Sequence, residues 1–393
     1  MILTLNSGSS SVKFSLFQFS GTSADSAECL ARGQIEGLGA KPSFEVRVGQ
    51  GERQPLPVPS ANPGKATHND AIAAILAWLN TAFAGQSVHA VGHRVVHGGT
   101  AFEAPVRIND AILGQLEQLV PLAPLHQPHN LAGIRAAQAA FAHVPQIACF
   151  DTAFHRCQPF VSQTFALPHA YFEEGVRRYG FHGLSYEFIS LQLHQIDPRL
   201  AQGRVVVAHL GNGASMAAVH NGRSVASTMG FTALDGLPMG TRSGQIDPGV
   251  LLYLMDSKGM DAAQIGQLLY KQSGLLGMSG LSQDMRTLEA SNDPKAQSAI
   301  DYFCHRISRE AAALAAAMGG IDALVFTGGI GEHSSRVRAQ VCASLTWMGV
   351  DIDPACNAQH SACISSPQSR IQVRVMQTDE EQMIAKHCHE LVD

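Results

Sequence analysis

Two strand–turn–strand patterns, one near the start of the chain and one in its second half, constrain the fold most. In residues 2–17, alternating apolar residues flank the polar turn Asn6 to Ser11. In residues 204–223, apolar runs flank the turn at Asn212-Gly213. Each pattern predicts a β-hairpin with a tip rich in small polar residues. Such a tip lets an anion approach backbone N–H groups, so both are candidate phosphate sites; a purely structural reversal of the chain is the alternative.

Matching segments extend this similarity along the chain. An amphipathic helix, an apolar strand and a turn with adjacent glycines follow in each half, the turns being Gly98-Gly99 and Gly328-Gly329. The apolar helix faces comprise Ile72, Ile75, Leu76, Leu79 and Phe83, and then Ile300, Phe303, Ile307, Ala311, Leu314 and Met318. The two sets are offset by roughly 200 residues, a domain-sized period. We therefore predict an internal duplication: an α/β domain over 1–150 that faces a similar domain over 151–379 across a cleft, with helix 380–393 returning to the first domain.

The composition excludes several classes of protein. Apolar residues make up 45% and charged residues 15%, which argues against disorder. No apolar run approaches the roughly 20 residues that span a bilayer, and residues 1–6 lack the basic region of a signal peptide. The net charge of −5 argues against nucleic acid as the main partner. Eight cysteines without a Cys-x-x-Cys pair favour reduced thiols, and so a cytoplasmic protein with no membrane association.

Five ionisable residues are candidates for chemistry because each lies at a strand end, in a glycine-rich turn or at a helix start: Arg94, Asp151, His182, Arg242 and Glu380. A guanidinium group matches carboxylate and phosphoryl oxygens, and neither arginine has a carboxylate close in sequence. The other three have structural alternatives. Asp151 could cap a helix, which the sequence alone favours, and His182 could be a core histidine. Glu380 could be stabilised by a helix dipole or could hold Mg²⁺ through water.

Two further segments bear on metal binding. The first hairpin tip begins with Asn6 and is followed by Lys13, which places a neutral metal or water ligand near a cation, as phosphoryl chemistry requires. Residues 387–389, His-Cys-His, come nearest to a metal-binding cluster, but their spacing is not that of a zinc site. We interpret them as a solvated helix end.

Seven ordered motifs resemble those of the acetate kinases, which belong to the acetate/butyrate kinase group of the sugar kinase, Hsp70 and actin superfamily. The motifs run nearly from end to end of the chain: Leu5-Asn-Ser-Gly-Ser-Ser-Ser-Val-Lys-Phe14, Gly92-His-Arg-Val-Val-His-Gly-Gly99, Phe150-Asp-Thr-Ala-Phe-His155, Arg178-Tyr-Gly-Phe-His-Gly183, His209-Leu-Gly-Asn-Gly213, Met239-Gly-Thr-Arg-Ser-Gly244 and Phe326-Thr-Gly-Gly-Ile-Gly-Glu332. The resemblance implies two duplicated actin-like (ribonuclease H-like) α/β domains facing across a nucleotide cleft. It also implies reversible phosphorylation of acetate by ATP to give acetyl phosphate and ADP, with Mg²⁺ (or Mn²⁺), in a cytoplasmic homodimer.

The resemblance further implies a role for each matching residue. It assigns Asp151, His182 and Arg242 to catalysis, and Asn6 and Glu380 to the metal. It places the acyl substrate against Arg94, Val96, Leu125, Phe181 and Ala233. It places ATP against Lys13, His209, Leu210, Gly211, Asn212, Gly213, Asp284, Met285, Arg286, Gly329, Ile330, Gly331, Glu332 and His333. A carboxylate acceptor is already ionised at pH 7, so we expect Asp151 to orient other groups and the transfer to be direct and in line.

Two positions depart from the family pattern. His333 stands where asparagine is usual, at the edge of the expected nucleotide site. Ala233 stands where proline is usual, which predicts a roomier acyl pocket and a smaller penalty for propionate. A propionate or butyrate kinase is therefore the first alternative function. An actin- or Hsp70-type ATPase switch is the second, against which the candidate arginines argue, because a switch needs no site for an acyl acceptor.

Overall fold

The computed structural model describes residues 1–21, 27–59 and 65–392, and these divide into two compact units. The first unit comprises residues up to Phe154 together with the C-terminal segment that begins at Asp379. The second is one continuous stretch, His155–Thr378. Residue 393, part of the helix predicted over 380–393, lies outside the described residues. Among the described residues, no helix combines the length and apolar character needed to cross a membrane.

The first unit is built on an eight-stranded sheet in the order β5-β4-β3-β2-β1-β6-β8-β7. Its strands are β1 (Ile2–Ser7), β2 (Ser11–Phe19), β3 (Ala27–Glu36), β4 (Ser43–Val48), β5 (Gln54–Leu56), β6 (Ala90–Val95), β7 (Val106–Arg107) and β8 (Gln146–Phe150); its helices are α1 (His68–Ala82), α2 (Asp110–Gln118), α3 (Gln127–Ala140) and the C-terminal helix (Glu380–Val392). β1 and β2 pair as the predicted antiparallel hairpin, with Ser7 opposite Val12. β1, β6 and β8 run parallel.

The second unit is built on a five-stranded sheet in the order β11-β10-β9-β12-β13. In chain order its elements are α4 (Phe160–Gln163), α5 (His169–Glu173), α6 (Gly183–Ile196), α7 (Pro198–Ala201), β9 (Arg204–Leu210), β10 (Ala214–His220), β11 (Arg223–Ser227), α8 (Pro248–Lys258), α9 (Ala262–Lys271), α10 (Gly274–Ser279), α11 (Met285–Glu289), α12 (Pro294–Ala317), β12 (Ala323–Thr327), α13 (Gly328–His333), α14 (Ser335–Ala343), α15 (Pro354–Ala358) and β13 (Gln372–Val375). β9 and β10 form the second predicted hairpin.

The two sheets share one topology. The order β3-β2-β1-β6-β8 in the first unit repeats as β11-β10-β9-β12-β13 in the second, with three antiparallel strands followed by two parallel ones in each. The helices with the predicted apolar faces, α1 and α12, precede β6 and β12. The prediction of a duplicated α/β protein is therefore confirmed.

Local sequence explains where the framework helices begin. Thr67 and Asp70 form a reciprocal capping box that starts α1. Asp293 caps α12, whose first residue is Pro294, a residue suited to that position. α1 and α3 pack on one face of the first sheet, around Leu5 and Ile75. The C-terminal helix packs against β1 and β6.

One local expectation needs correction. Residues 387–389 are not a solvated helix end: His387 and His389 are buried, and Cys388 is fully so. The C-terminal helix lies on the sheet, where Cys388 packs against Gly92 and His389 stacks on Phe19 with ring centroids 4.3 Å apart. Among the described residues, no group of histidine, cysteine, aspartate or glutamate has the geometry of a metal site.

Candidate active site

An ion pair between Arg94 and Asp151 dominates the carboxyl ends of the parallel strands in the first unit. Nε and Nη2 of Arg94 donate to the two carboxylate oxygens of Asp151 at 2.9 and 2.7 Å. Nη1 of the same guanidinium lies 3.6 Å from Glu380. The side chain of Asp151 is only 2% exposed, so this bidentate pair is largely withdrawn from water. Asp151 therefore orients a guanidinium group, and the structural alternative of a helix cap does not hold.

Burial and charge act in opposite directions on this cluster. Burial disfavours the charge on Arg94, but the carboxylates of Asp151 and Glu380 outweigh that effect, so the pKa of Arg94 lies above its usual value. Burial raises the pKa of Glu380 to about 7, against the opposing attraction of Arg94. Glu380 is thus a buried carboxyl group that binds a proton close to neutral pH, and an additional cation beside it would stabilise its ionised form.

The first hairpin projects two predicted residues from the same face of the sheet. Asn6 pairs directly with Lys13 across the β1–β2 ladder, so their side chains are neighbours. Leu5 pairs with His93 in the parallel ladder, so the next residues, Asn6 and Arg94, both project from the opposite face. The structure therefore brings Asn6, Lys13 and Arg94 to one side of the sheet.

Asn130 of α3 holds the backbone near this face. Its amide nitrogen donates to the carbonyl oxygen of Ser7 at 2.8 Å, and its Oδ1 accepts from the N–H of Val96 at 3.0 Å. Val96 is buried, whereas Leu125, the other apolar residue predicted to contact the acyl group in this unit, is 40% exposed. The buried amide group of Asn130 thus fixes both the β1–β2 hairpin and the segment after β6.

Glycine at position 92 allows the C-terminal helix to approach β6. A Cβ built on Gly92 would lie 2.5 Å from Sγ of Cys388 and would also collide with Ile384. Ile384 and Cys388 are on the helix that begins with Glu380. Their close packing on Gly92 therefore sets the distance between the carboxyl group of Glu380 and Arg94.

In the second unit, two predicted catalytic residues converge on the turn between β9 and β10. A Cβ built on Gly213 would lie 3.3 Å from Nε2 of His182 and 3.5 Å from Nη2 of Arg242. Arg242 is held from its other side, because its Nη1 donates to the carbonyl oxygen of Ala233 at 2.7 Å. His182 adopts the left-handed backbone conformation, with φ of +56°, at the start of α6, and its ring stacks on His209 with centroids 4.3 Å apart. Nε2 of His182 and Nη2 of Arg242 therefore both lie beside the space above this glycine.

Most of the residues predicted to contact ATP line one cavity of about 330 Å³ in the second unit. It is lined by Gly211, Asn212, Gln283, Asp284, Met285, Arg286, Glu289, Gly329, Ile330, His333 and Ser334. Asp284 caps α11, and a hydrogen bond from Arg286 lowers the pKa of Asp284 to about 2. Gly240 leaves room for the side chain of Asn212, whose amide oxygen occupies the place where a Cβ of residue 240 would lie.

Other predicted residues lie near this cavity without lining it. Oε1 of Glu332 accepts hydrogen bonds from the N–H of Gly328 at 2.9 Å and of Thr378 at 3.4 Å, so this carboxylate is committed to its own backbone. Leu210 is a fully buried strand residue, and Gly331 packs against β12.

Phe181, predicted to contact the acyl group, is 2% exposed, and its carbonyl oxygen accepts from Nε2 of His155 at 3.0 Å.

Several polar residues of these sites were not predicted from the sequence. Asn130, Ser185, Tyr186, Ser215 and Thr378 hold catalytic or nucleotide-binding candidates in place. Ser185 and Tyr186 lie two and three residues after the Arg178–Gly183 motif, on the first turn of α6, and this proximity was the one available signal. Ser215 lies two residues after the predicted turn at Asn212-Gly213 and pairs with His209 across the hairpin, but only the tertiary fold brings it to His182. Thr378 carries no comparable pattern.

The family of the chain follows from its match to a model of the Acetokinase family over residues 1–386. The chain belongs to the acetokinase family. Members of this family are ATP-dependent phosphotransferases, in agreement with the resemblance drawn from the seven motifs.

Individual acetokinase relatives cover the chain fully. The acetate kinase of Methylocella silvestris is 54% identical over the whole chain, and the match covers 98% of that protein. Among solved structures, the acetate kinase of Porphyromonas gingivalis is 38% identical with a TM-score of 0.90, covering 100% of this chain and 99% of that one. A propionate kinase from Francisella tularensis is 37% identical with a TM-score of 0.91, covering 99% of each chain. These matches confirm the predicted acyl-kinase family and its duplicated, actin-like α/β fold.

Proposed function

We propose that this protein acts as an acetate kinase, transferring the γ-phosphoryl group of ATP reversibly to acetate. The observation that carries the proposal is the convergence of His182 and Arg242 above Gly213, in a turn that adjoins the 330 Å³ cavity. Full-length relatives named acetate kinase favour acetate as the acceptor.

The proposed step needs positioning and charge neutralisation rather than proton transfer. An acetate oxygen attacks the γ-phosphorus in line, and the bond from phosphorus to the β,γ-bridging oxygen breaks, so that ADP leaves with the electron pair. Nε2 of His182 and Nη2 of Arg242 donate to equatorial phosphoryl oxygens as charge spreads over them. The turn from His209 to Gly213 cradles the phosphate groups of ATP, and the cavity holds its adenosine.

Arg94 is the proposed ligand of the acetate carboxylate. Asp151 accepts from Nε and from one N–H of Nη2, so the N–H groups that remain for a bound acetate are the second one of Nη2 and those of Nη1, which faces Glu380. Asp151 acts as an orienting group in this scheme. It fixes the plane of the guanidinium and so the direction from which acetate approaches.

Mg²⁺, or Mn²⁺ in its place, is the proposed metal. An amide oxygen from Asn6 and the carboxylate of Glu380 are hard oxygen donors, and Mg²⁺ in kinases binds one or two protein groups together with substrate phosphates and waters. The raised pKa of the buried Glu380 fits a site completed by a cation. The metal would neutralise charge on the transferring phosphates.

The proposed assembly is a cytoplasmic homodimer whose acyl phosphate product serves as an activated acetyl donor, as in acetyl-CoA formation. Support for a dimer comes from α8, an eleven-residue helix none of whose residues is buried. Four of its apolar residues are 39 to 61% exposed: Val250, Leu252, Tyr253 and Met255. An exposed apolar surface of this kind is typical of an oligomer interface.

Acyl-hydroxamate formation tests the proposed function. The protein is incubated with Mg-ATP, hydroxylamine and acetate, propionate or butyrate, beside Arg242→Ala and the exposed control Arg223→Ala. We expect acetate-dependent product, a loss of about 100-fold or more in Arg242→Ala, and wild-type activity in the control. No product with any acid, together with ATP hydrolysis that acetate does not affect, would favour the ATPase switch instead.

A broader acyl specificity is a second candidate, and Ala233 carries it. Proline at this position would keep the carbonyl oxygen that accepts from Arg242 while adding carbons to the acyl pocket we propose. We expect Ala233→Pro to lower the propionate/acetate ratio of kcat/KM by about tenfold. Equal ratios in the two proteins would refute this role for Ala233.

A further inference from the structure

Two buried hydroxyl groups form a chain behind His182. Oγ of Ser215 lies 2.8 Å from Nδ1 of His182 and 2.5 Å from the phenolic oxygen of Tyr186. Both Ser215 and Tyr186 are completely buried. The chain ends on the ring nitrogen opposite Nε2, the atom that faces Gly213.

The start of α6 builds this arrangement. The left-handed backbone of His182 turns its side chain towards β10, where Ser215 pairs with His209 across the hairpin. Tyr186 follows one helical turn later, and its amide donates to the carbonyl oxygen of His182 at 3.1 Å. The stacked ring of His209 has its own hydroxyl partner, because Oγ of Ser185 lies 2.8 Å from its Nδ1.

The hydroxyl group of Ser215 has one favoured hydrogen-bond acceptor. A phenol is the more acidic hydroxyl and the better donor, so Tyr186 donates to Oγ of Ser215. Ser215 then directs its own proton to Nδ1 of His182. A neutral imidazole that accepts at one nitrogen carries its proton on the other, which makes Nε2 a donor.

Resting on the proposed function, we infer that Ser215 and Tyr186 are positioning residues that hold His182 in the Nε2–H tautomer. In that tautomer the ring presents a fixed donor to the phosphoryl oxygens and requires no protonation beforehand. Ser215 acts directly on the ring, and Tyr186 acts only through Ser215.

A set of four variants tests the order of this chain by acetyl-hydroxamate kinetics: Ser215→Ala, Tyr186→Phe, their double variant, and the control Ser308→Ala. The control removes another buried serine hydroxyl, from α12. We expect Ser215→Ala to lower kcat about tenfold and Tyr186→Phe about threefold, with KM for ATP and acetate within about twofold of wild type. The double variant should match Ser215→Ala, and the control should match wild type.

Tautomer measurement separates this inference from the proposed function. In protein labelled with ¹⁵N-histidine, long-range ¹H–¹⁵N spectra distinguish Nδ1–H from Nε2–H rings, and His182→Ala identifies the signal. We expect the Nε2–H form in wild type and a mixture in Ser215→Ala. An Nδ1–H ring in wild type, or independent losses from the two variants, would overturn the inference. An inactive wild-type protein with an Nε2–H ring at His182 would instead overturn only the proposed function.

Discussion

Moving a side chain from position 7 to position 133, with the variants Ser7→Gly and Gly133→Ala, tests how β1 and α3 pack in the first unit. A Cβ built on Gly133 of α3 would lie 2.7 Å from Cβ of Ser7 and closer still to its Oγ. Ser7 is 4% exposed, and among the described residues its hydroxyl has no hydrogen-bond partner. The side chain at position 7 therefore occupies the space that a side chain at position 133 would need.

The magnitudes follow from that overlap. Gly133→Ala gains about 1 kcal/mol of helix propensity, but its Cβ must displace Ser7 by roughly 1 Å, and such overpacking costs about 1–3 kcal/mol. It also disturbs the hydrogen bond from Asn130 to the carbonyl of Ser7. We expect a net loss of about 2 kcal/mol. Ser7→Gly loses about 1 kcal/mol through chain entropy, and the double variant regains a free energy of unfolding within about 1 kcal/mol of wild type.

Urea denaturation followed by the fluorescence of Trp78 measures these values within the first unit. Trp78 lies on α1, which packs against α3, and the 72%-exposed Trp347 of the second unit can be replaced by phenylalanine so that one signal remains. Gly114→Ala is the matched control, because nothing lies within 4 Å of its added Cβ on α2. A double variant no more stable than Gly133→Ala, or a control as destabilised as Gly133→Ala, would refute the proposed overlap.

Three further predictions address charge and assembly. Asp151→Ala should lower the free energy of unfolding by about 3 kcal/mol, since it leaves the guanidinium of Arg94 without its bidentate partner; a loss below about 1 kcal/mol in urea denaturation would contradict a buried pair. The raised pKa of Glu380 means that, as the pH rises, the unfolded chain releases the proton of this carboxyl group at a lower pH than the folded state does. The free energy of unfolding of the metal-free protein should therefore fall by about 3 kcal/mol between pH 4.5 and 8, relative to that of Glu380→Gln. Parallel pH profiles for the two proteins would show that the carboxyl group is not perturbed. Leu252→Glu, on the exposed apolar surface of α8, should convert a dimer to a monomer in light scattering, and an unchanged mass would remove α8 from the interface.

Local patterns were sufficient to predict the framework of the fold. Alternation of apolar residues gave both hairpins, and helical periodicity gave α1 and α12, because these signals depend on residues close in sequence. The same order of hairpin, helix, strand and glycine turn in both halves of the chain predicted the duplication. The motifs also marked the turn at Gly213 and the cavity residues Gly329 and Ile330, since ligand-binding turns require glycine and small polar residues in a fixed order. Asp284, Met285 and Arg286 were expected from the family resemblance alone.

Contacts between residues distant in sequence escaped prediction. Arg94 has no carboxylate close in sequence, yet its partner is Asp151, which follows the adjacent parallel strand β8. Glu332 belongs to a predicted ATP motif, but its carboxylate binds the backbone at the start of α13. The contact of Ser215 with His182 joins β10 to the start of α6, and only the tertiary fold brings these two elements together.

The return of the chain to the first unit at Asp379 has a consequence for biosynthesis. Residues 1–154 emerge from the ribosome first, yet their sheet lacks the helix that covers β1 and β6 until the entire second unit has been translated. The second unit is continuous and can complete its fold without waiting for any later segment. The nascent first unit must therefore remain open, with the apolar surface around Gly92 uncovered, while the second unit forms. Chaperone binding to this protein during translation should be strongest at β6, and it should end once Ile384 and Cys388 have been added.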